Sequence, residues 1–200
     1  MVFKRSILLP LLVFLTAALV LLVTLLLMLP GPNSSGTASR VPIGGPFQLT
    51  DQNGKPFSSE SLKGKPFALF FGFTHCPEVC PTTLYDLTQD LEALGKDADR
   101  MNVVFVTVDP EQDTPELMKT YLSSFDPRII GLTGTPDEIA AAAKAYRVYY
   151  KKVPTEYGYT MDHTATIFLM DGKGDFSGAS NFQEAQDIRR EKLRKLVKNG

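Results

Sequence analysis

The sequence predicts an α/β domain: a sheet with parallel members, helices on both faces and an N-terminal hairpin extension, preceded by one transmembrane helix. Three observations predict it. Residues 7–29 form an unbroken uncharged run of mostly Leu, Val, Ile, Phe and Ala. Beyond residue 44, short apolar runs alternate with segments of helical period, the pattern of a sheet covered on two faces. Asn53-Gly54 and Asp171-Gly172 are turn signals that mark two hairpins.

At about 1.5 Å per residue, the apolar run spans roughly 35 Å, enough to cross a bilayer. Lys4 and Arg5 precede it, which leaves residues 1–6 in the cytoplasm and sends the rest across. A cleaved signal peptide is the alternative. Such an apolar core is shorter, about 7–15 residues, and ends at a small-residue cleavage site. This run ends in Met28-Leu29-Pro30-Gly31-Pro32, so residues 7–29 are expected to stay as an anchor. Residues 30–43, rich in Gly, Pro, Ser and Thr, read as a flexible tether. The soluble domain is expected over 44–200.

Within that domain, residues 47–58 read as a hairpin around Asn53-Gly54. Residues 66–73 are continuously apolar, as a doubly covered strand requires. Residues 76–94 read as a helix, with Leu84, Leu87, Leu91 and Leu94 on one face. Residues 102–108 are a second buried strand. Thr114 and Pro115 open the next helix as N-cap and first helical residue. A short strand at 129–132 and an Ala-rich helix from Thr135 to Tyr146 follow. Residues 164–170 and 174–178 flank Asp171-Gly172, and an amphipathic helix over 183–198 closes the chain. This order resembles a thioredoxin-like fold with a hairpin added at its N-terminus.

The formal net charge is −1, and no basic run is interleaved with aromatics, so nucleic acid is not an expected partner. Two cysteines are too few for a disulfide scaffold. They stand in Cys76-Pro77-Glu78-Val79-Cys80-Pro81, where an apolar strand hands over to a helix. Backbone N–H groups at a helix start stabilise a thiolate. At i and i+4 two sulfurs can share one metal, and a tightened turn would let them form a disulfide. The bland reading is a pair of small buried hydrophobes.

There are only two histidines. His163 stands at the entrance of the strand at 166–170 and can project toward a neighbouring helix end. Two thiolates and an imidazole suit copper(I), although a lone histidine before a strand is also commonly structural. His75, beside Cys76, is expected to point away from a metal bound there. A structural zinc site would need every cysteine and histidine in the chain.

Phe71-Gly-Phe-Thr-His-Cys-Pro-Glu-Val-Cys-Pro-Thr-Thr-Leu84, Val108-Asp-Pro-Glu-Gln-Asp-Thr-Pro-Glu116 and Asp162-His-Thr-Ala165 together resemble the Sco/SenC family. The resemblance implies copper bound by Cys76, Cys80 and His163. It implies a role in assembling cytochrome c oxidase: copper delivery to the binuclear centre of subunit II, or reduction of that subunit's cysteines. It also implies other copper chaperones as partners, and a domain facing the bacterial periplasm or the mitochondrial intermembrane space. With the N-terminal anchor and no Arg- and Ser-rich transit peptide, the expectation is a single-pass protein of the inner membrane with its soluble domain in the periplasm. Glu78 departs from the Asp common in the family. Asp109, in the second block, is a candidate for steadying the site, or simply a cap for the next turn.

Two functions compete. A copper chaperone needs His163; a membrane-anchored thiol–disulfide oxidoreductase needs only a redox-active Cys76 and Cys80. Thioredoxins usually carry C-x-x-C, one residue shorter than the spacing here, which favours metal handling. A peroxiredoxin-like peroxidase would share the fold but leave the three residues unexplained.

Overall fold

A computed structural model describes residues 5–28 and 42–199. They form two separate units, an N-terminal helix and a domain that starts at Pro42.

The N-terminal helix, α1 (Arg5–Met28), contains an apolar stretch, Pro10–Met28, long enough to cross a membrane. It begins two residues before the expected span. Leu29 and the expected tether as far as Val41 lie outside the described residues, as do residues 1–4 of the expected cytoplasmic segment.

The domain is built on a seven-stranded sheet. Its strands are β1 (Gln48–Asp51), β2 (Pro56–Ser58), β3 (Phe67–Gly72), β4 (Asn102–Thr107), β5 (Ile129–Thr133), β8 (Thr166–Met170) and β9 (Phe176–Asn181). Their spatial order is β2-β1-β5-β4-β3-β8-β9. β3, β4 and β5 are parallel; the hairpins β1–β2 and β8–β9 add antiparallel strands at the two edges. β3 is buried along its whole length between β4 and β8, as its unbroken apolar run requires. At the first hairpin turn Gly54 takes φ 75°, and the Asp51 carboxylate accepts from the Asn53 and Lys55 N–H groups.

Helices α2 (Val79–Leu94), α3 (Pro115–Leu122), α4 (Pro136–Ala145) and α5 (Gln186–Asn199) flank the sheet. α2 buries Leu84, Leu87, Leu91 and Leu94, the face expected from their spacing. Thr114 caps α3, and Thr135 with Glu138 forms a capping box on α4. Two arginines of α5 grip α2. Wholly buried Asp90 accepts from Arg189 Nε at 2.6 Å and from Arg190 Nε at 3.1 Å.

Two expectations are corrected. α2 starts at Val79, not at Cys76. Pro81 is the reason: in a helix opening at residue 76 it would lie in the interior, lacking an N–H and clashing with the Pro77 carbonyl. Placed in the first turn, its missing N–H is one that has no partner in any case. The second correction is a hairpin not expected from the sequence, β6 (Tyr150–Thr155) with β7 (Gly158–His163). It stands apart from the main sheet as a two-stranded ribbon, and His163 is its last residue.

Candidate metal centre

β3 delivers the chain to the site. After Gly72 the backbone turns, with the Cys76 N–H donating to the Phe73 carbonyl at 3.3 Å. Cys76 therefore sits on a turn ahead of the helix and Cys80 in its first turn. Glu78, at the N-cap, makes no side-chain cap. The Cys76 sulfur takes that role instead, accepting from the Cys80 N–H at 3.4 Å. Cys80 is fully buried and Cys76 half-buried.

His163 reaches the same place from the end of β7. Its Nε2 is 3.6 Å from Cys80 Sγ, and the three donor atoms of Cys76, Cys80 and His163 all lie within 4.8 Å of one another. Its Nδ1 meets the Thr164 carbonyl at 3.2 Å. A carbonyl only accepts, so that contact puts a proton on Nδ1 and turns Nε2 toward the sulfurs. The edges of Phe70 and Phe73 box the ring in, with centroids 6.2 and 5.7 Å away. β8 leads the chain away immediately afterwards, so the histidine is held between two strands.

The sulfurs are electrically unequal. Cys80 donates its thiol proton toward Cys76, which holds the Cys76 thiol at about 4. Partial burial opposes this, while the neighbouring His163 ring and hydrogen bonds from the backbone at Cys80 and Glu78 reinforce it. Cys80 is pushed far up because it is the donor to Cys76, then by burial and by the charges on Cys76 and Asp113. The metal-free pair thus stores one thiolate and one thiol.

All three residues expected to ligate are brought together. His75 is not among them, and among the described residues no other His, Cys, Asp or Glu group has this geometry. The set fits a soft three-coordinate ion such as copper(I) and lacks the fourth donor of a structural zinc site. Asp109 does not cap the next turn with its side chain. It accepts from Tyr159 Oη on β7 at 3.1 Å, while its backbone carbonyl takes the Gln112 and Asp113 N–H groups.

Two residues went unnoticed in the sequence. Asp113, fully buried, accepts from the Thr74 N–H at 3.1 Å, Thr74 Oγ1 at 2.6 Å and Thr107 Oγ1 at 2.5 Å, and so ties down the cysteine-bearing turn. Gly72 leaves room for the site: a Cβ there would lie 2.8 Å from Cys80 Sγ and 2.7 Å from the Phe105 ring. A glycine at the end of a central strand was the available signal for Gly72; Asp113 stands among other polar residues in the loop after β4, which gave none.

The fold and the site define a thioredoxin-like domain with a two-cysteine, one-histidine centre. The family model described as SCO1/SenC matches residues 35–198. The chain belongs to the SCO1/SenC family. It is 44% identical over 163 residues to the mitochondrial protein SCO2 of Saccharomyces cerevisiae, a match covering 78% of this chain and 54% of the yeast protein. The chain therefore spans about half the length of that relative. Among solved structures, Bradyrhizobium japonicum ScoI with copper bound is 56% identical, with a TM-score of 0.72, covering 77% of this chain and 99% of that one. BsSco, a member of the Sco family of cytochrome c oxidase assembly proteins with an identified disulfide switch, is 25% identical with a TM-score of 0.64. That likeness covers 78% of this chain and 95% of BsSco.

Proposed function

We propose that this protein is a copper chaperone for cytochrome c oxidase assembly. It holds one copper(I) between Cys76, Cys80 and His163 and passes it to the binuclear copper site of subunit II. Its own copper comes from other copper chaperones. Helix α1 anchors it in the cytoplasmic membrane, with residues 44–200 on the periplasmic side. The observation that carries this reading is the convergence of two sulfurs and one imidazole nitrogen within 4.8 Å. Copper-bound ScoI and the assembly role of BsSco support it.

The chemistry follows from the unequal pair. Cys76 already carries charge to meet a cation, and binding releases the Cys80 proton so that both sulfurs coordinate. Phe70 and Phe73 confine the imidazole, so little rotational freedom is lost on binding. An acceptor then draws the ion off by stepwise thiolate exchange.

A titration of the purified, reduced domain with copper(I) tests this reading, and one equivalent is expected. A domain that binds none, or binds equally well without His163, sinks it. A phosphatase fused after Gly200 should be active in intact cells, since that enzyme works only in the periplasm. An inactive fusion refutes the proposed orientation.

One observation favours a second reading, thiol–disulfide exchange. A thiolate beside a protonated thiol is the arrangement of an attacking and a resolving cysteine. Cys76 would attack a disulfide of the partner, forming a mixed disulfide and expelling one partner thiolate. Cys80 would then lose its proton and displace the second, leaving Cys76–Cys80 oxidised and the partner reduced. A His163→Ala variant that still reduces the partner but holds no copper separates the two readings.

A further inference from the structure

We propose that His75 is an exchange ligand, a second imidazole at the rim of the centre that takes hold of copper(I) as it enters or leaves the three donors. This rests on the copper reading of Cys76, Cys80 and His163 and adds a step to it.

One hydroxyl proton fixes the state of the ring. Thr74 Oγ1 lies 2.6 Å from Asp113 Oδ1 and 3.1 Å from His75 Nδ1. A hydroxyl has a single proton to give. The Asp113 carboxylate is surrounded by donors, with the Thr74 N–H and Thr107 Oγ1 on its other oxygen, so the Thr74 proton goes to it. Toward His75 the same oxygen can only accept. The proton of the neutral ring is therefore on Nδ1, and Nε2 is left with a bare lone pair. The His75 side chain is 54% exposed, whereas Asp113, which orients it through Thr74, is fully buried. A rigid interior group thus sets the tautomer of a solvent-facing ring.

The burial of the three donors gives that ring its use. Cys80 is sealed from solvent and Cys76 is half-buried, so an acceptor approaches from the Cys76 side. His75 is the chain neighbour of Cys76 on the exposed turn. It stands outside the trio within 4.8 Å, so it is not a resident ligand. In the proposed step the ring swings out of its contact with Thr74, carrying the Nδ1 proton with it, toward the Cys76 side. As the bonds from copper to Cys80 and His163 break, a bond to His75 Nε2 forms, and the Cys80 thiolate takes a proton from water. Copper(I), unchanged in oxidation state, is then held by Cys76 and His75 at the surface. An incoming thiol gives its proton to solvent and displaces His75.

The test uses the full-length chain in detergent, loaded with one copper(I) and mixed anaerobically with bicinchoninate in a stopped-flow instrument. His75→Ala should release copper about tenfold more slowly than the unaltered chain. Thr74→Val removes the hydroxyl and lets the ring revert to the Nε2–H form that free histidine prefers, so it should also slow release. Nitrogen-15 spectra of the neutral rings should show the His75 proton on Nδ1 in the unaltered chain and on Nε2 in Thr74→Val. Release from His75→Ala at the unaltered rate overturns the proposal, as does a proton on Nε2 in the unaltered chain. An unaltered chain that takes up no copper sinks the three-donor reading itself. Normal loading with an unchanged rate in His75→Ala sinks only the exchange step.

Discussion

The hydroxyl of Tyr159 donates to the Asp109 carboxylate across 3.1 Å, fastening the hairpin that ends in His163 to the loop after β4. A second tie, Lys152 to Glu111 at 2.8 Å, is exposed and contributes little. Tyr159→Phe removes one buried-side hydrogen bond, worth about 1 kcal/mol. Copper affinity should fall about fivefold if that bond holds the imidazole in place. An affinity equal to that of the unaltered protein would show that the hairpin is positioned without it.

Removing a ligand should be far more costly. Cys76→Ser and Cys80→Ser leave one sulfur and should abolish retention of copper(I) against a competing chelator. His163→Ala keeps both sulfurs and should weaken binding strongly without changing the fold. Competition titrations of the three variants, with circular dichroism to confirm folding, rank the donors. Full retention by either serine variant would refute a shared two-sulfur site.

The cysteine pair also sets a pH profile. Cys76 is held at about 4, so its thiolate persists above that value and is lost as the pH falls through it. Iodoacetamide should therefore label the reduced protein at a nearly constant rate across the neutral range and more slowly below about pH 4. The depressed value also adds stability as the pH rises from about 4, because the unfolded chain binds a proton there that the folded chain does not. Near the ordinary thiol pKa of about 8.5 the sign reverses. There the unfolded chain loses a Cys80 proton that the folded chain keeps. Denaturant unfolding of the reduced protein should show a stability maximum in that region. A Cys76→Ser, Cys80→Ser double variant should lack it, and identical profiles would refute the unequal pair.

Gly72→Ala tests the space behind the buried sulfur. The new methyl would meet Cys80 Sγ at 2.8 Å and the Phe105 ring at 2.7 Å, and both belong to a packed core. Overpacking of this kind costs about 1–3 kcal/mol. The midpoint of unfolding should drop and copper affinity with it. A variant with unaltered stability and copper binding would mean the sulfur moves aside freely.

The sequence conveyed most of this architecture because the sheet is apolar where it must be. The run ending at Phe73 could only be a covered strand, and the leucines of α2 lie on its buried face. The hairpin carrying His163 left no such trace. Of its twelve residues only Met161 is buried, since the ribbon stands apart from the main sheet, and no alternation of apolar and polar residues marks it. Pro154 lies inside β6 and is tolerated there because β6 pairs on one side only. The start of α2 depended on Pro81, whose position outweighed the spacing of the cysteines. Asp113 was hidden for a different reason. Its partners Thr74 and Thr107 are 39 and 6 residues away, and only folding makes them neighbours.

Asp90 and the two arginines of α5 clamp the cysteine helix at the end remote from the sulfurs. That helix cannot pivot or slide as a body when the site gains an ion or a sulfur–sulfur bond. Whatever changes must be absorbed in its opening turn and the segment just upstream. A docking protein that distinguishes loaded from empty would therefore have to inspect a few residues around Cys76, and could learn nothing from the opposite side of the molecule.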